Sequence, residues 1–156
     1  MARRAENTVN EMKCIFPAKS INEGLARLSV SSFIAQLDPP VSVLSELKTA
    51  VSEAVTNCIV HAYRNQTDKM KCPIYISATY TAGGILRIAV KDKGTGIADI
   101  SLARTPLYTT DAEGERSGMG FTVMESFMDE LSVRSAQGEG TTVVLTKYIG
   151  RAREEQ

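Results

Sequence analysis

Three polar residues at helical spacing are the first candidates for chemistry in this sequence. Glu53, Asn57 and His61 lie four residues apart, so in an α-helix each side chain sits about 40° round the axis from the last. They border an apolar stripe, where a carboxylate, a carboxamide and an imidazole can point into a shared cleft. Three such residues alone are more often the polar face of a helix, so their meaning depends on the segments that accompany them.

The second candidate is the segment Asp92-Lys93-Gly94-Thr95-Gly96, which follows a predicted strand. An aspartate at a strand end can accept a hydrogen bond from an exocyclic amine, such as that of adenine. Gly94 and Gly96 allow the backbone to approach a flat ring or a phosphate closely. Alone, this pattern is a weak signal, because turns commonly have the same composition.

Two further segments complete a possible nucleotide site. Residues 115–121 form a glycine-rich turn that opens a predicted helix, and the free N–H groups of a helix start bind phosphate well. Arg116 adds a charged fork suited to terminal phosphate oxygens. Gly140-Thr141-Thr142 stands at the head of the last predicted strand. Each of these segments taken singly is equally well explained as a turn or a helix cap.

The hydrophobic periodicity predicts the elements that position these segments. A long helix over residues 41–63 carries Glu53 and Asn57, with Leu47, Val51 and Val55 on its apolar stripe. Residues 73–81 and 85–91 alternate as strands and are predicted to form a hairpin. A short helix at 121–128 and strands at 131–136 and 141–148 complete the second half.

The first part of the chain is predicted to contain a loose charged leader at 1–11, a strand at 12–17 and a helix. Ser20 and Glu23 have the spacing of a capping box at the start of that helix. The predicted apolar stripe of the helix comprises Ile21, Leu25, Leu28, Phe33 and Leu37. Residues 92–120 are predicted to be irregular, and a long irregular segment in a compact domain is usually functional or disordered. Residues 150–156 are predicted to be a charged tail.

The predicted elements favour one domain over residues 1–156. They indicate an α/β two-layer sandwich, in which helices cover one face of a mixed, mostly antiparallel sheet. A chain of 156 residues is long enough for one substantial core.

The composition narrows the class of partner and the compartment. The 18 basic residues equal the 18 acidic ones, so no summed positive field attracts nucleic acid, and direct DNA binding is not expected. The three cysteines, Cys14, Cys58 and Cys72, show no metal-ligand spacing. With no signal peptide or membrane span in the sequence, they indicate a reducing compartment and a cytoplasmic protein.

In this order, the four segments resemble the nucleotide site of the GHKL ATPases, which have the Bergerat fold. That family combines a helical E-x-x-x-N, a D-x-G-x-G after a strand, a lid that bears G-x-G and a late threonine on a strand. The P-loop alternative is excluded, because no G-x-x-x-x-G-K-[ST] occurs.

The likeness extends over residues 12–148 to the GHKL-type anti-sigma factors and serine protein kinases of endospore-forming bacteria, and within them to the anti-sigma F factors. Residues 32–38, 51–57, 106–110 and 115–121 carry it. Ala62 stands where this family has glycine, and residues 111–114 of the lid also depart from its pattern.

The resemblance implies a role for each matching residue. Glu53 would be the general base, and Asn57 would hold the Mg²⁺ that bridges the phosphates of ATP or ADP. Asp92 would contact the adenine with Thr141 nearby, and Gly94 and Gly96 would line the base pocket. The remaining nucleotide contacts would fall on the lid and its flanks, with Arg116 near the γ-phosphate: Thr109, Thr110, Arg116, Ser117, Gly118, Met119 and Gly120.

The resemblance also implies partners. Arg27 on the first helix, with Glu23 one turn earlier, would contact a sigma factor or an anti-anti-sigma factor, and the latter would be phosphorylated on serine. Without the resemblance, the two residues predict only an exposed i, i+4 ion pair. A homodimer is also implied.

Other interpretations remain open at this point. One is a general-stress anti-sigma kinase of the same family, and another is a non-catalytic, nucleotide-gated module that binds sigma. A third is the ATP domain of a histidine kinase, which would need a separate partner protein to carry the phosphoacceptor helices.

Overall fold

The computed structural model describes residues 7–106 and 119–150. The strands are β1 Thr8–Pro17, β2 Pro73–Thr81, β3 Ile85–Asp92, β4 Glu130–Ala136 and β5 Gly140–Tyr148. The helices are α1 Asn22–Ala35, α2 Val41–Asn57, α3 Ile100–Ala103 and α4 Gly120–Phe127, with a π-helical turn at Cys58–Ala62 and a 3₁₀ turn at Lys69–Lys71. Within the described residues, β1 is followed by α1 and α2, then by the hairpin of β2 and β3, and then by α3, α4 and the hairpin of β4 and β5.

The five strands form one sheet in the order β1-β2-β3-β5-β4. All four pairings between the described strands are antiparallel, so the predicted mixed sheet is corrected to an antiparallel one. Two of the pairs, β2 with β3 and β4 with β5, are hairpins, and α1 and α2 lie between β1 and β2 in the chain. The fourth pair joins the two hairpins through β3 and β5. The two-layer sandwich itself, with helices on one face, is confirmed.

The core lies between the helices and one face of the sheet. Ile76 of β2, Ile88 of β3 and Leu145 of β5 are buried on that face, while Ser77 and Ala89, the next residues along β2 and β3, point to the opposite face and are only half-buried. Helix α2 covers them with Leu47, Val51, Ala54 and Val55 of its predicted stripe, and with Ala50, which the stripe did not include. The alternation in the strands and the 3.6-residue period of α2 therefore both mark the buried face of their element, as predicted.

The first strand starts earlier than the sequence indicated. Thr8–Pro17 pairs with β2, so residues 8–11 are not part of a loose leader. Residues 8–11 are exposed because β1 is an edge strand. They therefore lack the apolar alternation by which a strand is predicted from sequence. Backbone pairing, as between Glu11 and Thr79, fixes them instead.

Helix α1 differs from the prediction in its N-terminal cap and in the face that it buries. Its N-cap is Ile21, and no side chain caps it, so the predicted capping box of Ser20 and Glu23 is wrong. The Glu23 carboxylate instead accepts a hydrogen bond from Ser52 of α2. Three residues of the predicted stripe are exposed, namely Ile21, Leu25 and Leu28, whereas Phe33 is buried as predicted. The other buried apolar residues of the helix lie outside the predicted stripe: Ala26, Val30 and Ile34.

The predicted helix 41–63 ends differently from an ordinary α-helix. Its last turn is π-helical over Cys58–Ala62, a widened turn that is frequently found at functional sites. The turn places the carbonyl of Ala62 where it accepts a hydrogen bond from Thr95 N at 2.8 Å. The end of α2 is thereby joined to the loop that follows β3 and contains Gly94 and Gly96, which is called the glycine loop below.

Candidate functional site

Helix α2 presents two polar side chains to the start of helix α4. A Cβ atom added to Gly120 would lie 3.3 Å from Oε2 of Glu53 and 3.4 Å from Oδ1 of Asn57. Glu53 and Asn57 share a face of α2 because they are four residues apart. A carboxylate and a carboxamide therefore converge on a helix N-terminus, where glycine leaves room between them.

The N-terminus of α4 has the character of an anion site. The first N–H groups of a helix have no intrahelical acceptor, and α4 begins at Gly120, with Met119 as N-cap and no side chain bonded to the cap. The buried Met124 anchors the helix in the core. Such free N–H groups favour phosphate, so the predicted position of Gly120 at the phosphates fits this geometry.

Asp92 ends β3 as a buried carboxylate that is 4% exposed. Its Oδ1 accepts from Gly94 N at 2.9 Å and from Thr141 N at 3.2 Å, and its Oδ2 accepts from Cys58 Sγ at 3.5 Å. Burial raises the pKa of Asp92, while these three donors lower it and offset part of the rise. The carboxylate is thus held in one orientation at the end of the strand.

The glycines around Asp92 are needed for close contact between backbones. A Cβ atom on Gly94 would lie 2.1 Å from Ala62 O, and one on Gly140 would lie 2.2 Å from Asp92 O. Gly140 also has a φ of +92°, a conformation that other residues rarely adopt. The sequence predicted close approach to a ligand at Gly94, whereas the space its missing Cβ would need is filled by the end of α2.

Ser135 ties the glycine loop to the last hairpin. Its hydroxyl accepts a hydrogen bond from Ile97 N at 2.7 Å and contacts Gly140 O at 3.0 Å and Thr141 Oγ1 at 2.8 Å. Gly138 N also donates to Thr95 O at 2.7 Å. Thr141 is therefore fixed through its backbone to Asp92 and through its hydroxyl to Ser135.

Three residues of the site escaped the sequence analysis. Cys58 is buried, and its thiol contacts Asp92. The Tyr63 hydroxyl donates to Pro73 O at 2.6 Å and accepts from Lys93 N at 2.7 Å, and its burial raises its pKa to about 12. Ser135 is the third. Of the three residues, only Cys58 could have been suspected from the sequence, because it lies next to Asn57.

The structure brings the predicted residues into two adjoining groups. Glu53, Asn57 and Gly120 form one. Asp92, Gly94 and Thr141 form the other, and Gly96 lies beside it, against Ala136 of the last hairpin. Cys58 follows Asn57 in the chain and contacts Asp92, so the groups lie side by side at the end of α2. The predictions for Thr109, Thr110, Arg116, Ser117 and Gly118 lie outside the described residues.

The predicted partner residues form an ion pair on α1. Arg27 Nη1 lies 3.5 Å from Glu23 Oε1, with the arginine side chain 42% exposed. The i, i+4 pair anticipated from spacing alone is therefore present, and Ser52 of α2 donates to the same carboxylate. The arginine remains accessible at the surface of the helix.

Comparison with known proteins agrees with this fold. Residues 16–147 match the histidine kinase-like ATPase domain family. A chain of Mycobacterium tuberculosis that comprises RsbU and RsbW domains has a similar fold, with a TM-score of 0.67 and 21% identity over 92% of this chain and 33% of that one. The fold and the family match thus define a histidine kinase-like ATPase domain of the GHKL type.

The sequence relatives are more specific. Proteins named anti-sigma F factor from Geobacillus thermodenitrificans and from Caldanaerobacter subterraneus are each 51% identical over 144 residues, which is 92% of this chain and 96% and 97% of theirs. The chain belongs to the anti-sigma F factor family. Within the part of the chain that the structure describes, no helix has the length and apolar character needed to cross a membrane.

Proposed function

We propose that this protein is a cytoplasmic anti-sigma factor and an ATP-dependent serine protein kinase. It binds and inhibits a sporulation sigma factor and phosphorylates a serine of the anti-anti-sigma factor that opposes it. The observation that carries the proposal is the convergence of Glu53, Asn57 and the α4 N-terminus beside a buried Asp92, in a chain with the relatives described above.

The donor set fits a magnesium nucleotide. Asn57 offers a hard carboxamide oxygen next to the phosphate-binding end of α4, and Mg²⁺ takes such oxygens together with phosphate oxygens and waters. Asp92 retains acceptor capacity for an exocyclic amine. Bound Mg-ATP would supply the phosphoryl group and neutralise its charge.

Glu53 is suited to accept the proton of the attacking hydroxyl. As the serine oxygen bonds to the γ-phosphorus, the bond from phosphorus to the bridging oxygen breaks, ADP leaves and the hydroxyl proton passes to the Glu53 carboxylate. The N–H groups of α4 face the position where phosphate charge collects. Gly120 keeps that approach free, because any side chain there would contact Glu53 and Asn57.

Partner contact is assigned to the exposed Arg27 of α1, with Glu23 as its neighbour. An arginine paired with a carboxylate at half-exposed positions can exchange that carboxylate for one on a partner. We assign the sigma factor and the anti-anti-sigma factor to this helix, and a homodimer as the binding form.

Transfer of labelled γ-phosphate tests the proposal. Purified protein, Mg-ATP and the candidate anti-anti-sigma factor should yield an acid-stable phosphoserine on the latter, and Glu53→Gln and Asn57→Ala should each lose transfer by at least about a hundredfold. Glu125→Gln is the matched control, since this carboxylate is 60% exposed on α4 and pairs only at the surface with Arg104.

The outcomes separate the candidates. Undiminished transfer by Glu53→Gln would contradict the assigned base. ATP and sigma binding without any transfer would favour the non-catalytic, nucleotide-gated module. An acid-labile phosphoamino acid would indicate histidine as the acceptor and contradict serine specificity.

A further inference from the structure

We propose that Cys58 is a positioning residue for adenine recognition, because its thiol holds the Asp92 carboxylate so that one acceptor position is left for the base. This inference rests on the proposed function, in which Asp92 faces the exocyclic amine. It adds a determinant of base specificity that lies in the buried end of α2.

The acceptor capacity of Asp92 can be counted. An ionised carboxylate has about four lone-pair positions, two on each oxygen. Gly94 N and Thr141 N take the two on Oδ1, and Cys58 Sγ takes one on Oδ2 at 3.5 Å. A single position on Oδ2 then remains, which matches the single hydrogen that an adenine amine can direct at one acceptor.

The thiol is the donor in this contact. Burial and the nearby charge of Asp92 raise the pKa of Cys58 well above its usual value, so the sulfur keeps its proton at neutral pH. The Cys58 side chain is 4% exposed, so its thiol meets the Asp92 carboxylate in the interior of the protein. An S–H group is a weak donor, although a charged acceptor strengthens the bond.

The local backbone fixes the sulfur in place. Cys58 is the first residue of the π-helical turn, and the N–H of Cys58 bonds to carbonyls of the preceding turn of α2. The same turn carries the Ala62 carbonyl that receives Thr95 N. Thiol and glycine loop are therefore set by one rigid segment, and a residue packed there for volume alone would not need a polar hydrogen.

The experiment compares nucleotides that differ at the base. Affinities of the full-length protein for ATP and for ITP, which carries a carbonyl in place of the amine, are measured by calorimetry. Cys58→Ala should lose ATP affinity by roughly threefold to tenfold and reduce the preference for ATP over ITP by the same factor. Cys58→Ser, which restores a donor of similar size, should restore that preference.

Cys72→Ala is the matched control. Cys72 is also buried, but its thiol contacts Asp68 O at 3.4 Å, away from Asp92, so the base preference should not change. Circular dichroism and thermal unfolding of each variant show that it is folded.

Equal losses for ATP and ITP in Cys58→Ala, or no loss for either, would overturn the inference and leave Cys58 a packing residue. Failure of Cys58→Ser to restore the preference in a folded protein would also overturn it. If the wild type bound neither nucleotide, the proposed function would fail as well, so the two failures are distinguishable.

Discussion

At the residue scale, Asp92 shows how burial sets the chemistry of a carboxylate. Transfer from water into the protein disfavours the charged form, and three donors recover part of that cost. A group with a raised folded pKa contributes stability that is present below its unfolded pKa and is lost as pH rises through its folded pKa. The ionised Asp92 therefore costs stability at neutral pH, and we expect ligand binding to be the benefit.

Asp92→Asn should separate stability from binding. The amide keeps an acceptor for Gly94 N and Thr141 N but presents no charge, so the free energy of unfolding without nucleotide should rise at pH 7, where the buried charge of the wild type is unfavourable. ATP affinity should fall by at least about tenfold, because the exocyclic amine loses a charged acceptor. Urea denaturation and calorimetry measure the two effects.

The pH dependence of the free energy of unfolding tests the prediction for Asp92→Asn. As pH falls, Asp92 of the wild type becomes protonated and its penalty disappears, so the stability gap between wild type and Asp92→Asn should close on acidification. ATP affinity of the wild type should fall over the same pH range. A gap that stays constant down to about pH 4 would contradict the raised pKa of Asp92.

Two glycines in one hairpin provide a matched pair of substitutions. Gly138 and Gly140 both have positive φ, at +81° and +92°. A Cβ on Gly138 meets nothing within 4 Å, whereas one on Gly140 would lie 2.2 Å from Asp92 O. The pair therefore separates backbone strain from steric contact.

Gly140→Ala should cost about 1–3 kcal/mol more in the free energy of unfolding than Gly138→Ala, which itself costs about 1 kcal/mol. ATP binding should fall only in Gly140→Ala, because that substitution displaces the end of β3. Equal costs in urea denaturation would show that strain alone governs both positions.

At the element scale, the site depends on how α2, the glycine loop and the β4–β5 hairpin are joined. The π-helical turn of α2 holds one side of the loop through Ala62, and Ser135 of β4 holds the other through Ile97 N. Ser135 and Ile97 both lie outside the four nucleotide motifs. The loop is therefore positioned by elements from distant parts of the chain.

Ser135→Ala should loosen this loop. The substitution leaves Ile97 N without its acceptor, which costs about 1–3 kcal/mol for a buried group, and frees the Thr141 hydroxyl. We expect faster ATP dissociation in stopped-flow measurements together with the loss of stability. Ser132→Ala, on an exposed position of the same strand, is the control, and an equal effect of both changes would contradict the role given to Ser135.

At the scale of the whole molecule, partner binding and phosphotransfer are assigned to different surfaces. Arg27 lies on α1, while the nucleotide residues lie at the end of α2 and β3. Ser52, the neighbour of Glu53 in sequence, donates to Glu23 beside Arg27, so the two surfaces are connected through one side chain.

Arg27→Ala should weaken binding of the sigma factor by about tenfold, as is usual for a truncated interface arginine, and leave ATP affinity unchanged. Surface plasmon resonance and calorimetry measure the two. Lys71→Ala removes a positive charge at a position that is 83% exposed and serves as the control for net charge. A loss of ATP affinity in Arg27→Ala, or an unchanged sigma affinity, would contradict the assignment.

The segments with a strong apolar period were predicted correctly from the sequence. The β2–β3 hairpin, α4 and the final hairpin begin and end within one residue of their predicted bounds. Alternation along a half-buried strand and a 3.6-residue stripe on a helix are local consequences of which side faces the core. The order of the nucleotide motifs was likewise enough to identify the fold family.

Segments without a strong apolar pattern could not be predicted from the sequence. The start of β1 is exposed on an edge, so pairing with β2 decides it and no apolar alternation marks it. The face of α1 was misjudged, since close packing selects Ala26 and Val30 over the larger Leu25 and Leu28. The capping box failed because a tertiary partner, Ser52, competes for Glu23.

The sequence by itself determined the strongly periodic elements, the family and the choice of Glu53, Asn57 and Asp92 as candidate site residues, because spacing within an element and the order of motifs are linear properties. Only the tertiary structure decided that Cys58 and Ser135 belong to the site and that Gly94 and Gly140 serve contacts between backbones. Those relations join residues remote in the chain, and they exist only once α2, β3 and the last hairpin are packed together.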